Sequence, residues 1–162
     1  IKHPFNLVVY DNHTDMQYSA FGNILSCGSW IADVYEYCEN VRKIIIIGAN
    51  EEYIKYCEFK NNDKVIFADS IFDVNIAENT LPIYISVDKD VLSKKEFVAD
   101  WDQGKMSLVT LTKELHYLAE NFNILGVDVC GEPVIDDDYN IGLSNNINKE
   151  LANIFVDISY EI

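Results

Sequence analysis

Five short stretches of this chain, residues 5–11, 43–49, 64–68, 83–88 and 124–129, are almost continuously apolar and rich in β-branched side chains. A strand with one wet face alternates polar and apolar residues. A strand covered on both faces does not, and unbroken runs such as Ile44-Ile45-Ile46-Ile47 are the mark of a parallel sheet packed between helices.

Helix-like stretches separate these runs. Residues 28–40 place Trp30, Ile31, Val34, Tyr35 and Cys38 at roughly helical spacing. Residues 50–59 open with Asn50, Glu51 and Glu52, an acidic first turn that suits the positive end of a helix dipole. Residues 110–121 repeat Leu111, Leu115 and Leu118, and residues 146–160 align Ile147, Leu151, Ile154, Phe155 and Ile158. The run 69–79 reads as a short helix or an irregular crossover. Strand and helix alternate, so the expected fold is a single α/β domain over residues 1–162, a three-layer αβα sandwich with a mainly parallel sheet. In such sheets the ligand site lies beyond the carboxyl ends of the strands.

A formal charge of −15 over 162 residues argues against nucleic acid and against anionic membrane, where Lys and Arg must replace counterions. The longest apolar run is too short to span a bilayer, and no signal segment opens the chain, so a soluble cytoplasmic protein is expected. Cys27, Cys38, Cys57 and Cys130 lack metal-site spacing and sit in or beside apolar stretches, which predicts buried, reduced thiols. His116 has no acid or cysteine partner at ligand spacing and is expected on a helix surface. Asp136-Asp137-Asp138 reads as a solvated loop.

Two clusters stand at strand ends. The first strand closes on Tyr10-Asp11-Asn12-His13-Thr14-Asp15, with Asp11, His13 and Asp15 at alternate positions. In extended chain, alternate residues point to one side, so all three can face one point. Ser86-Val87-Asp88-Lys89-Asp90 repeats the pattern at the end of the fourth strand. Four carboxylates brought together would repel one another strongly at low dielectric, and divalent cations remove that cost. Carboxylates with an imidazole suit Mn, Fe, Co or Zn more than Ca or Mg.

D-x-H-x-D followed by S-x-D-x-D resembles the arginase/agmatinase/formiminoglutamase (ureohydrolase) superfamily, whose fold is shared with the deacetylases. Gly126-Val127-Asp128-Val129, leading to Glu132-Pro133, is similar to a later strand of that family. The resemblance implies two Mn²⁺ ions, or other divalent transition metals. Asp11 and Asp88 would bridge them, Asp15 would complete one shell, and His13 and Asp90 would bind the other ion. It implies a metal-bridging hydroxide that attacks a guanidino, amidine or amide carbon of a small cationic or amide substrate. Glu132 would be the catalytic-site acid that holds the substrate's cationic head.

The chain also departs from the family. It lacks the upstream Gly-Gly-Asp-His segment, so at least one further βα unit, ending in a His ligand, is expected before Ile1. Gly22 to Gly28 resembles the family's substrate loop, with Ser26 or Cys27 where a shuttle His belongs. A divergent hydrolase is therefore the leading expectation. A non-catalytic metal-binding or ligand-binding member of the fold is the alternative, and a phospho-acceptor domain is a further rival that has no use for His13. A homo-oligomer is left open.

Overall fold

The computed structural model describes residues 1–18, 22, 24–76, 81–133 and 138–156. The elements run β1 (Phe5–Tyr10), α1 (Trp30–Tyr37), β2 (Val41–Ile47), α2 (Glu51–Tyr56), β3 (Val65–Ala68), β4 (Ile83–Asp88), α3 (Leu108–Asn121), β5 (Ile124–Cys130) and α4 (Asp138–Phe155). Short 3₁₀ turns at Ile71–Asp73 and Lys89–Val91 follow β3 and β4. The five strands form one sheet in the order β3-β2-β1-β4-β5, and every pairing is parallel.

Both faces of the sheet are covered. Phe5, Leu7 and Val9 of β1, with Ile44 and Ile46 of β2, pack against Ile31 and Ala32 of α1 and Ile54 of α2. The intervening Val8, Tyr10, Ile45 and Ile47 pack against Leu111, Leu115 and Leu118 of α3 and Ile147, Leu151 and Phe155 of α4. The period-two side chains of each central strand thus feed two separate cores, which is why those strands carry no polar alternation. This is the three-layer α/β architecture expected from the alternation of elements.

Helix ends differ from the sequence expectation. Asn50 is an N-cap, its side chain accepting from the Glu52 amide at 3.0 Å. Ser107 caps α3 by accepting from the Thr110 amide at 3.1 Å, so that helix starts at Leu108. The larger change is α4, which begins at Asp138 and not near Asn146. Asp138 therefore belongs to a helix, while residues 136 and 137, and 157–160 of the expected last helix, lie outside the described residues. The cysteines also correct the expectation of buried thiols. Cys57 is buried and Cys38 half-buried, but Cys27 and Cys130 are exposed. No helix among the described residues is long and apolar enough to cross a membrane.

Chain order places the site. From β1 the chain proceeds outward through β2 and β3, then returns to the other side of β1 for β4 and β5. The carboxyl ends of β1 and β4 therefore flank a switch point, where an open α/β sheet leaves a crevice. Tyr10 pairs with Val87, so the next residues, Asp11 and Asp88, emerge side by side.

Candidate metal centre

Asp11 leaves β1 buried, and its Oδ1 accepts from the His13 amide at 2.6 Å. That short turn brings the His13 ring back over the strand end. Its Nδ1 lies 3.3 Å from Asp11 Oδ1 and 3.0 Å from Asp90 Oδ2. The ring is walled by Tyr53, at 4.9 Å between centroids, and more distantly by Trp101 at 6.5 Å. Asp90 is buried, with Oδ1 accepting from the Asn12 amide at 3.1 Å, so the end of β1 holds the acid that follows β4. Asp88 caps the 3₁₀ turn after β4, accepting from the Asp90 amide at 2.9 Å. Asp15 adopts the left-handed conformation at φ 47°, which Asp tolerates better than most residues. Its carboxylate accepts from Trp30 Nε1 at 2.8 Å, which ties it to the first turn of α1.

The structure thus brings all five residues singled out by the two motifs to one cleft of about 290 Å³, bordered by Tyr53 and Trp101. Among the described residues, Asp11, His13 and Asp90 form the only group of three or more acid, His or Cys side chains whose ligand atoms lie within 4.8 Å of one another. Asp15 and Asp88 border the cleft beside that trio.

The electrostatics are those of anions crowded without a cation. Burial pushes the Asp11 carboxyl well above its usual range, and the charges of Asp15, Asp90 and Asp88 add to it, against the His13 hydrogen bond. Burial likewise raises Asp15 to about 6, although the Trp30 hydrogen bond opposes it. Asp88 is raised by burial and then by the charge of Asp90. Hydrogen bonds that its ring donates to Asp11 and Asp90 push His13 up to about 10 against its burial. Protons are drawn to this cluster to balance its charge, and a divalent cation could take their place. Two carboxylates and an imidazole fit a first-row divalent ion.

A second, wider cleft of about 460 Å³ shares Asp11, Asp15 and Asp88 and continues past Trp30, Trp101, Asp100 and Asp128. Asp128 accepts from buried Ser86 at 2.9 Å. Cys130 lies on the same wall, its thiol donating to Asp88 Oδ2 at 3.3 Å. Although Cys130 as a residue is exposed, desolvation of its thiol and the neighbouring Asp88 push that thiol up, so it stays protonated. Trp101 and Asp100 sit outside the motifs of the sequence, and Asp128, although it stands in Gly126-Val127-Asp128-Val129, is not singled out there as a site residue. The strand-end position of Asp128 was the available signal.

Glu132 lies on the rim of the wider cleft, but its carboxylate has another occupation. Lys89 donates to Oε1 at 2.7 Å, Ser144 to Oε2 at 2.8 Å, and Asn148 to Oε1 at 3.0 Å. Burial would raise its pKa, yet these donors outweigh it and hold the group below its usual range. Both oxygens thus accept hydrogen bonds from within the protein, while the side chain stays 59% exposed at the rim. Cys27 borders both clefts and Ser26 the smaller one, while His116 is exposed on α3.

No family model matches the chain. It is 33% identical over 136 residues to an uncharacterized protein of Thermotoga maritima, covering 82% of this chain and 50% of that protein. A presumed agmatinase from Clostridium difficile superposes with a TM-score of 0.75 at 19% identity, over 95% of this chain and 59% of that one. Formimidoylglutamase from Bacillus subtilis gives 0.71 at 16% identity, over 95% and 54%. Arginase from Bacillus cereus gives 0.71 at 18% identity, over 98% and 64%. The chain spans between half and two thirds of the length of these proteins. At such identities the likeness to the solved structures is one of fold, and the fold is the arginase-like one of the ureohydrolases.

Proposed function

We propose that this chain, with its arginase-like fold, is the metal-holding part of a divergent ureohydrolase-like hydrolase that cleaves a linear C–N bond in a guanidino, amidine or amide compound. The observation that carries the reading is the convergence of Asp11, His13 and Asp90 within 4.8 Å at the switch point of the sheet. Those three would hold one ion, while Asp15 and Asp88, with Asp11 shared, would hold a second. Mn²⁺ is the expected ion. Such ions, when bound, lower the pKa of water and neutralise charge that develops on the substrate.

The chain's own residues do the rest. Asp100 and Asp128, beyond the proposed ligands, add negative charge to the wider cleft and draw a small cation toward it. Trp30 and Trp101 line the cleft and offer flat faces that can stack on a planar or cationic group. Trp30 also fixes the direction of Asp15 through its indole N–H. Of the named solved structures, the three enzyme names all describe cleavage of nitrogen-bearing small molecules, which supports the substrate class proposed here.

Melting of chelator-stripped protein with and without Mn²⁺ tests the reading. A ligand that binds only the folded state stabilises it by mass action, so Mn²⁺ is expected to raise Tm. Asp11→Asn is expected to remove most of that rise. Incubation with guanidino, formimino and acetylated amines is expected to release urea, formamide or acetate, and the Asp11→Asn protein to release none. Identical melting with and without the metal defeats the proposal.

A further inference from the structure

Lys89 stands between Asp88 and Asp90 in sequence, yet its side chain turns away from them and is 0% exposed. Its ammonium donates to Glu132 Oε1 at 2.7 Å, Ser144 Oγ at 2.6 Å and Asn148 Oδ1 at 2.8 Å. An ammonium has three N–H donors, and here all three are spent. The charge also lies 5.5 Å from the centre of the Phe97 ring. A buried lysine is costly, and an apolar residue could fill such a space at less cost in desolvation.

The loop that supplies Glu132 also touches the site. Gly131 has φ +79° and packs its backbone against Asp88, so that a Cβ there would collide with Asp88 Oδ1 and sit 2.8 Å from the Lys89 amide nitrogen. Two consecutive loop residues thus meet two consecutive residues of the β4 end. Gly131 meets Asp88, and Glu132 meets Lys89. Ser144, which is buried, and Asn148 extend the same clamp to α4.

We propose that Lys89 is a positioning residue for the metal-site carboxylates, a buried ammonium that holds the Gly131-Glu132 loop and α4 against the end of β4. The clamp sets the direction of Asp88, and through the shared 3₁₀ turn that of Asp90. Its affinity readout rests on the metal reading above, while a second readout does not.

Three proteins decide it: the wild type, Lys89→Met and the double variant Lys89→Met/Glu132→Met. Charge alone makes Lys89→Met bind Mn²⁺ more tightly, since a positive charge near Asp88 is gone. Positioning makes binding weaker, by about tenfold or more, as for other residues that orient metal ligands. The double variant leaves no half-made ion pair and is expected to regain most of the wild-type Tm. Its Mn²⁺ affinity is expected to stay about tenfold down. In metal-free protein, the carboxylate ¹³C resonances of Asp88 and Asp90 are expected to move. A folded double variant with wild-type affinity and unmoved resonances overturns the proposal. If the wild type takes up no Mn²⁺, the metal reading falls, and the metal-free resonances alone decide: moved supports Lys89 as a positioning residue, unmoved overturns it. Should the double variant not fold, Asn148→Leu strips one acceptor and keeps both charges. A shift in the same two carboxylates then supports the proposal, and unchanged resonances sink it.

Discussion

His13 sits where two acids from different strands compete for one imidazole, and the pH response of the metal-free protein follows from that arrangement. Asp15 is raised from 3.8 to about 6 in the folded state, and Asp11 and Asp88 are raised as well. A carboxyl raised by folding binds more protons in the native state, so its contribution favours folding at low pH. That contribution is lost as pH rises from the unfolded value near 4 to the folded value near 6. His13, raised from 6.5 to about 10, stabilises fully below pH 6.5 and loses its contribution as pH climbs toward 10. Both act in one direction. In chelator, Tm is expected to fall between pH 5 and pH 8. With saturating Mn²⁺ the trend should reverse, because metal binding needs deprotonated ligands. Melting curves at four or five pH values, with Asp11→Asn as control, give the comparison. A Tm that rises with pH in chelator contradicts the picture of a cluster short of positive charge.

The loop after β5 and the helix α4 make the next prediction. Gly131 needs its positive φ, and a side chain there would push on Asp88. Gly131→Ala is expected to cost roughly 1–2 kcal/mol from the left-handed backbone alone. It should also weaken Mn²⁺ binding, since Asp88 must move. Urea unfolding and metal titration measure the two effects separately, and an unaltered affinity would show that Asp88 has no part in holding the ion. These same elements mark where the sequence stopped being legible. The five strands were readable because a short, unbroken, β-branched apolar run suits little besides a strand buried on both faces. The two motifs were readable because each is local. The start of α4 was not. Its inner face carries Asn140 and Ser144 ahead of Ile147, Leu151 and Phe155, so the apolar period begins late. Asn140 is buried because it accepts from the Val98 amide at 2.8 Å, and Ser144 because it takes Lys89. Partners more than forty residues away decide which side of that helix is core. Lys89 was opaque for the same reason: a lysine between two aspartates reads as a surface charge until its three acceptors are seen.

Taken as one molecule, the chain presents its acids unevenly about the switch point. Asp11, His13 and Asp90 form a compact trio spanning β1 and β4, with hydrogen bonds that cross between the two strands. Asp15 is drawn toward Trp30, and Asp88 toward Cys130 and the Asp90 amide. Among the described residues the ligand atoms of the trio already lie within 4.8 Å of one another, whereas those of Asp15 and Asp88 do not close a second such group with Asp11 and must move before they serve an ion. Binding of two ions by this chain is therefore expected to be unequal. Calorimetric titration with Mn²⁺ should show one tight site and a second that is weaker or not saturable. His13→Asn should remove the tight site, and Asp15→Asn should spare it while abolishing the weak one. Cys130→Ser keeps a donor, somewhat smaller, beside Asp88 and should leave both sites nearly unchanged. Cys130→Ala frees the Asp88 oxygen and should strengthen the weak site. Two equal tight sites in the unaltered chain would mean that Asp15 and Asp88 are already set for a second ion, and that the trio has no special standing in the fold.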